Sequence, residues 1–219
     1  MVDFNSLSSG EPRWQRRPDA RPEEILEAAK HVFGESGYAG TKLEDVARRA
    51  GVSKGTLYLY FDSKEALFRE MVRAKVVAAL AHAEEAVRTF DGSSRELLVI
   101  LISSMYRRLR DDGMARVGRV VQAELPSFPE LAQFYFEEVI LRSRRLVSRV
   151  LERGVESGEF REVSHGFAAR GLASLLVHTA QLQCFFHDFD PDQLSDEAAL
   201  GGLVDLYLHG VLARPDEPA

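Results

Sequence analysis

From residue 22 to about residue 213 the apolar side chains recur every three or four positions, and no stretch alternates apolar with polar residues between hairpin turns. A strand turns a face every second residue and a helix every 3.6, so this period commits a chain of 219 residues to an all-α fold. The helix ends are marked by local chemistry. Pro22, Glu23 and Glu24 suit a first turn, where an absent N–H costs nothing and negative charge meets free amides. Ile25, Ala28, Ala29, Val32 and Phe33 then share a face until Gly37 stops the helix. Thr41 and Glu44 form a Thr-x-x-Glu capping box for a short helix with Leu43, Val46, Ala47 and Ala50 on one side. Gly51 breaks that helix, and Ser53 caps a third that turns Leu57 and Phe61 inward. Asp62 and Glu65 open a longer helix over about 63–88.

Behind these lie five more helices. Ser93 and Glu96 open one that ends at Gly113, and a shorter one covers about 114–124. Ser127-Phe-Pro-Glu130 opens a long one ending near Gly158, and two follow over about 163–187 and 195–213. The expected organisation is a flexible arm (1–20), a three-helix unit (21–73), a larger helical domain (74–213) and a short tail (214–219).

The charge is local. Residues 1–73 hold 12 Lys and Arg against 12 Asp and Glu, and the remaining 16 and 22 leave residues 74–219 at −6. Residues 48–64 carry Arg48, Arg49, Lys54 and Lys64 against Asp62 alone, so a basic patch lies within a neutral unit. The longest apolar stretch, Gly166 to Phe186, contains Arg170, His178, Gln181 and Gln183, which argues against a membrane span. The N-terminus has no apolar signal core, and Cys184 is the single cysteine, so a disulfide framework is excluded and the cytoplasm is the expected location.

Helices two and three have helix-turn-helix proportions: Ala47 lets them approach, Gly51 permits the turn, and Val52 and Leu57 pack beneath. The outer side of helix three gathers Lys54, Gly55, Thr56, Tyr58 and Tyr60. Ammonium and hydroxyl donors suit phosphate oxygens, a glycine lets backbone amides approach, and a helix N-terminus favours anions. Thr41 heads helix two and Lys64 heads helix four, positions from which both would clamp the DNA backbone. Two tyrosines on an exposed helix need a partner, which sets this surface apart from an ordinary solvated face. Arg13, Trp14, Arg16, Arg17 and Arg21 read either as a basic arm entering a minor groove or as a soluble tail.

The run from Tyr38 to Phe61, with Gly-Val-Ser-Lys-Gly-Thr-Leu-Tyr-Leu-Tyr-Phe at its centre, and Asp-Ser-Lys-Glu-Ala-Leu67 after it, resembles the N-terminal domain of the tetracycline-repressor (TetR) family. The resemblance covers residues 21–73. It implies a homodimeric repressor that binds double-stranded operator DNA and is released by a small hydrophobic effector. It also implies DNA contacts at Thr41, Lys42, Ser53, Lys54, Gly55, Thr56, Tyr58, Tyr60 and Lys64. Tyr60 stands where the family often has histidine, keeping a phosphate donor but losing a titratable ring. Gln122 to Leu131 and Gly158-Glu-Phe-Arg161 are similar to one C-terminal subclass, the AefR-like repressors.

The helix over 163–187 is apolar nearly all round and must be buried on more than one side. With the amphipathic last helix it is expected to form the dimer seam, through Leu172, Leu175, Leu176, Leu200, Leu203 and Tyr207. The other helices are left to hold a ligand. The candidates are Met105, Tyr106, Leu109, Met114, Val117, Phe128, Phe134, Phe136, His178 and Gln181. An uncharged or cationic effector is expected from the acidic balance of this domain, with no cofactor and no metal. The alternatives are a helical interaction module without a DNA role, and an enzyme. The chain has no metalloprotease, P-loop, dinucleotide or nucleophile-elbow motif, and Cys184 beside His187, with Asp188 and Asp190, lacks further ligands at metal spacing.

Overall fold

The computed structural model describes residues 21–110, 114–191 and 193–212. The arm residues and the Gly113 helix end named above lie outside these, apart from the backbone of Arg21. The fold is all-α: α1 (Arg21–Gly40), α2 (Leu43–Arg49), α3 (Lys54–Tyr60), α4 (Lys64–Val72), α5 (Ala78–Thr89), α6 (Ser94–Arg110), α7 (Met114–Ala123), α8 (Pro129–Tyr135), α9 (Arg142–Glu156), α10 (His165–Phe185) and α11 (Asp196–Val211). Arg73–Val77 joins α4 to α5, and Phe136–Leu141 joins α8 to α9, each as a π-helical stretch within one continuous rod. Among the described residues no strand forms; the one β-contact is an isolated bridge between Phe160 and Leu212.

The caps divide into those that sequence chemistry locates and those it misplaces. Ser53 accepts the Thr56 N–H at 3.0 Å and Ser195 accepts that of Ala198 at 3.1 Å. Ser93 and Glu96 form a reciprocal box, each side chain accepting the other's N–H at 3.1 Å. The Thr41–Glu44 box does not form. Helix α2 starts one residue later, behind an uncapped Lys42, because the Thr41 hydroxyl is turned inward and donates to the Gly37 carbonyl at 2.6 Å. Ser63, not Asp62, caps α4. Ser127 sits in a 3-10 turn, and Pro129 opens α8 without a side-chain cap. Gly37, where a stop is expected, instead kinks α1 at φ 73°, ψ 172°, and the helix runs on to Gly40.

Two apolar cores run through the molecule. The first gathers Ile25, Phe33, Leu57 and Phe68 from α1 to α4 and takes up Val117 and Val120 of α7 and Leu131 and Phe134 of α8. It therefore crosses the expected boundary at residue 73. The second gathers Leu98, Ile102, Leu146, Leu151, Leu172 and Leu203 from α6, α9, α10 and α11. The segment Gly158-Glu-Phe-Arg161 clasps three helix ends at its edge. Glu159 accepts the N–H groups of Ser94 and Arg95 at 2.9 and 3.0 Å, Phe160 is buried against Gly154, and Arg161 donates to the Gly210 carbonyl.

Candidate DNA-reading surface and effector cavity

The turn between α2 and α3 closes by a bond from the Val52 N–H to the Ala47 carbonyl at 2.9 Å, with Gly51 at φ 66°. A side chain is strained at that angle, and glycine is not. Helix α3 buries only Leu57, leaving a seven-residue helix with most of its surface in water. Lys42, Ser53, Lys54, Gly55, Tyr58 and Tyr60 are exposed together around it, and Thr56 is half-buried with its hydroxyl 2.8 Å from that of Ser53. Leu59, 83 % exposed, completes the surface. Sequence patterning assigned it no role, although an exposed leucine in a reading helix suits a thymine methyl group.

The basic groups here are not idle. The Lys54 ammonium pairs with the Glu44 carboxylate; their contact holds Glu44 below the usual carboxylate range and Lys54 above the usual ammonium range. Arg49 binds both oxygens of Glu35 at 2.9 and 2.8 Å, and Arg48 pairs with Asp45. Two of the expected backbone clamps are turned to other work. Thr41 is buried with its hydroxyl on Gly37, and Lys64 donates to the carbonyls of Tyr38, Ala39 and Thr41 at 2.8, 3.1 and 3.2 Å. Both side chains order the turn that precedes α2.

Behind this unit a cavity of about 400 Å³ opens between α4–α5, α6, α7, the α8–α9 rod and α10. Its walls are mostly apolar, and they include Arg108, Arg144 and Arg170 and no carboxylate among the described residues. The Arg144 Nε is buried without a hydrogen-bond partner. Of the expected ligand contacts, Met105, Leu109 and Met114 line this cavity. The others are placed elsewhere. Tyr106 is core, its hydroxyl donating to Asp196 at 3.4 Å, and Val117 is packed in the first core. Phe128 stacks edge-on to Tyr38, 4.7 Å between centroids, and Phe134 lies under the guanidinium groups of Arg69 and Arg73. Phe136 and His178 are exposed, and Gln181 is half-buried outside the cavity wall. The three arginines escaped sequence reasoning. A signal was present in Arg170, a cation within an otherwise apolar stretch, and in the Arg142-Ser-Arg-Arg145 run of an acidic domain.

Helix α10 serves three surroundings, which explains its all-round hydrophobicity. Leu172 and Leu176 face the core, Arg170 and Val177 face the cavity, and Phe167, Leu175, Leu182 and Phe186 form an outer apolar stripe. The six residues expected at the dimer seam are placed as follows. Leu172, Leu176, Leu203 and Tyr207 are buried in their own chain, Leu200 is half-buried, and of the six only Leu175 belongs to the outer stripe. Periodicity cannot assign faces on a helix with no polar side. Leu206, 62 % exposed on α11, extends the outer apolar surface.

A short exposed helix presented by a glycine turn, carried in front of a helical domain with an internal cavity, defines a ligand-responsive helix-turn-helix transcriptional regulator. Residues 25–71 match the bacterial regulatory proteins of the tetR family, and residues 96–209 match the C-terminal domain of AefR-like transcriptional repressors. The chain belongs to the TetR family; it is a DNA-binding repressor released by a ligand, and not an enzyme. It is 34 % identical over 206 residues to the helix-turn-helix regulator YfiR of Bacillus subtilis strain 168, covering 91 % of this chain and 95 % of that one. The fatty acid metabolism regulator protein of the same strain is 31 % identical over 149 residues, 68 % of this chain and 74 % of its relative. The crystal structure of the Bacillus subtilis regulator FadR in complex with stearoyl-CoA is similar at a TM-score of 0.71 and 27 % identity, over 86 % of this chain and 98 % of that one. No helix among the described residues is long and apolar enough to cross a membrane.

Proposed function

We propose that this repressor binds a two-fold symmetric operator as a homodimer and leaves it when an amphiphile with an anionic head and a long apolar tail, of the fatty acyl-CoA kind, occupies the cavity. The observation that carries the ligand class is the trio Arg108, Arg144 and Arg170 in an otherwise apolar wall, with the Arg144 Nε buried and unpartnered. A buried donor on a cation leaves a desolvation cost unmet until an acceptor arrives, and an anion meets it best. This reverses the expectation of an uncharged or cationic effector: the acidic balance of the whole domain is outweighed by the local field of three arginines. A volume of about 400 Å³ falls in the usual range for small-molecule sites. The similarity to a regulator crystallised with stearoyl-CoA supports the same reading.

On DNA, the α3 surface of one subunit reads few base pairs, so specificity requires a second copy and an inverted repeat. The contacts fall to Lys42, Ser53, Lys54, Gly55, Thr56, Tyr58, Leu59 and Tyr60. The test pairs DNA selected from a random pool with a thermal-shift series of stearoyl-CoA, stearate, coenzyme A and an uncharged stearoyl ester. Stearoyl-CoA raises the melting temperature and weakens DNA binding, and Arg144→Gln lowers the affinity for it. A 100-fold loss of DNA affinity corresponds to about 2.7 kcal/mol of preference for the off-DNA form. Stabilisation by the uncharged ester alone would overturn the anionic part of the reading, and a selected site without dyad symmetry would overturn the dimeric one.

A further inference from the structure

Helix α7 has two working faces. Met114, Gly118, Val121 and Gln122 line the cavity. Val117 and Val120 are buried in the first core, and Glu124, directly beyond the helix end, reaches the DNA-reading unit. Its carboxylate accepts the Ala39 N–H at 2.9 Å, 85 residues away in sequence. The contact is close: a Cβ placed on Gly37 would stand 2.2 Å from the Glu124 Oε1. The same turn is held from the other side by Lys64, whose ammonium binds the carbonyls of Tyr38, Ala39 and Thr41, and it leads directly into α2. A single rigid helix of ten residues thus has the effector wall on one side and, at its end, a charge-assisted bond to the backbone that positions the helix-turn-helix.

We propose that Glu124 is the positioning residue through which cavity occupancy reaches the recognition helix: a ligand that displaces α7 pulls the carboxylate off the Ala39 amide and frees the turn before α2. The inference rests on the reading that the effector occupies this cavity. It adds a route through α7 to any movement of the continuous α4–α5 rod. A backbone amide held by a carboxylate is a two-state contact, made or broken, which suits a switch better than a graded apolar packing.

The test compares wild type, Glu124→Ala and Glu124→Gln as full chains, with stearoyl-CoA as the probe. In Glu124→Ala, stearoyl-CoA binds the DNA-free protein within about 2-fold of wild type, but its effect on DNA affinity falls from about 100-fold to under about 10-fold. Glu124→Gln keeps an oxygen acceptor and lies between them; it carries the test should the alanine variant not fold. Unaltered ligand and DNA affinities with an unaltered coupling factor in the variants would overturn the proposal. A second arm needs no effector. By reciprocity, selected operator DNA shifts the Met114 methyl resonance in wild type and leaves it in place in the Glu124 variants. If stearoyl-CoA does not bind wild type, the ligand assignment fails and this arm alone decides the coupling: an equal shift in all three proteins refutes it.

Discussion

At the scale of the residue, the reading surface is a set of donors already in use. Lys54 is paired with Glu44, and in the proposed contact with DNA that carboxylate competes with a phosphate for the ammonium. Glu44→Gln removes both the competing partner and a negative charge near the DNA. It is expected to tighten DNA binding by about 2- to 10-fold for all sequences alike, in keeping with the small worth of an exposed ion pair. Fluorescence anisotropy across a salt series measures this; Lys54→Ala, by contrast, should lower the salt slope by about one unit. An unchanged affinity in Glu44→Gln would show that Lys54 does not approach a phosphate. Ser53 was legible as a cap because its partner lies three residues on. The capture of Lys64 by three carbonyls more than 20 positions away was not, because nothing local distinguishes that lysine from a solvent-exposed one.

At the scale of the element, two devices join helices that are distant in sequence. The first is the clasp at Gly154 and Phe160. A Cβ at Gly154 would lie 2.0 Å from the Phe160 ring, inside a buried contact, so Gly154→Ala must push the ring out of the second core. The expected loss is about 1–3 kcal/mol, read as a lower denaturation midpoint without a change in helix content. The second is Glu27 on α1, which accepts from Lys30 at 2.6 Å and from Lys75, in the π-helical stretch, at 2.8 Å. These two ammonium groups lower its carboxyl from 4.5 to about 2. The folded value lies below the unfolded one, so the stabilisation is present above about pH 4.5 and is lost as the pH falls toward about 2. With the carboxylate 44 % exposed, the screened contribution is about 1 kcal/mol or less. The stability difference between wild type and Glu27→Gln should therefore be constant above pH 5 and narrow through the acid range in thermal melts. A difference that grew on acidification would contradict the assignment.

At the scale of the whole molecule, the outer stripe of α10 and Leu206 of α11 leave large apolar side chains in water, and the proposed dimer would cover them. Leu206→Arg lies on that surface, so the subunit fold should survive while the dimer does not, because a charge would be buried at an apolar contact. Light scattering is expected to report a monomer with native circular dichroism; a clean dimer would refute this seam. Leu172→Ala is the contrasting case. Its side chain is fully buried within the subunit, and the variant should lose about 2–5 kcal/mol of stability whatever the oligomeric state.

The period of the apolar residues, the proline and glycine punctuation and the serine caps were enough to determine eight of the rods, the glycine turn before α3 and the short helix that reads DNA. These are local effects: a helix is closed by bonds four residues apart, and a cap by bonds two or three apart. The tertiary structure alone decided which side of α10 faces the core, which faces the cavity and which is left outside, because a helix apolar on every side carries no local mark of its neighbours. It alone brought Arg108, Arg144 and Arg170 from three helices into one wall, and placed Glu124 against Ala39. Charges separated by tens of residues acquire a common field, and a carboxylate acquires its amide, only when the packing of the rods sets the distances between them.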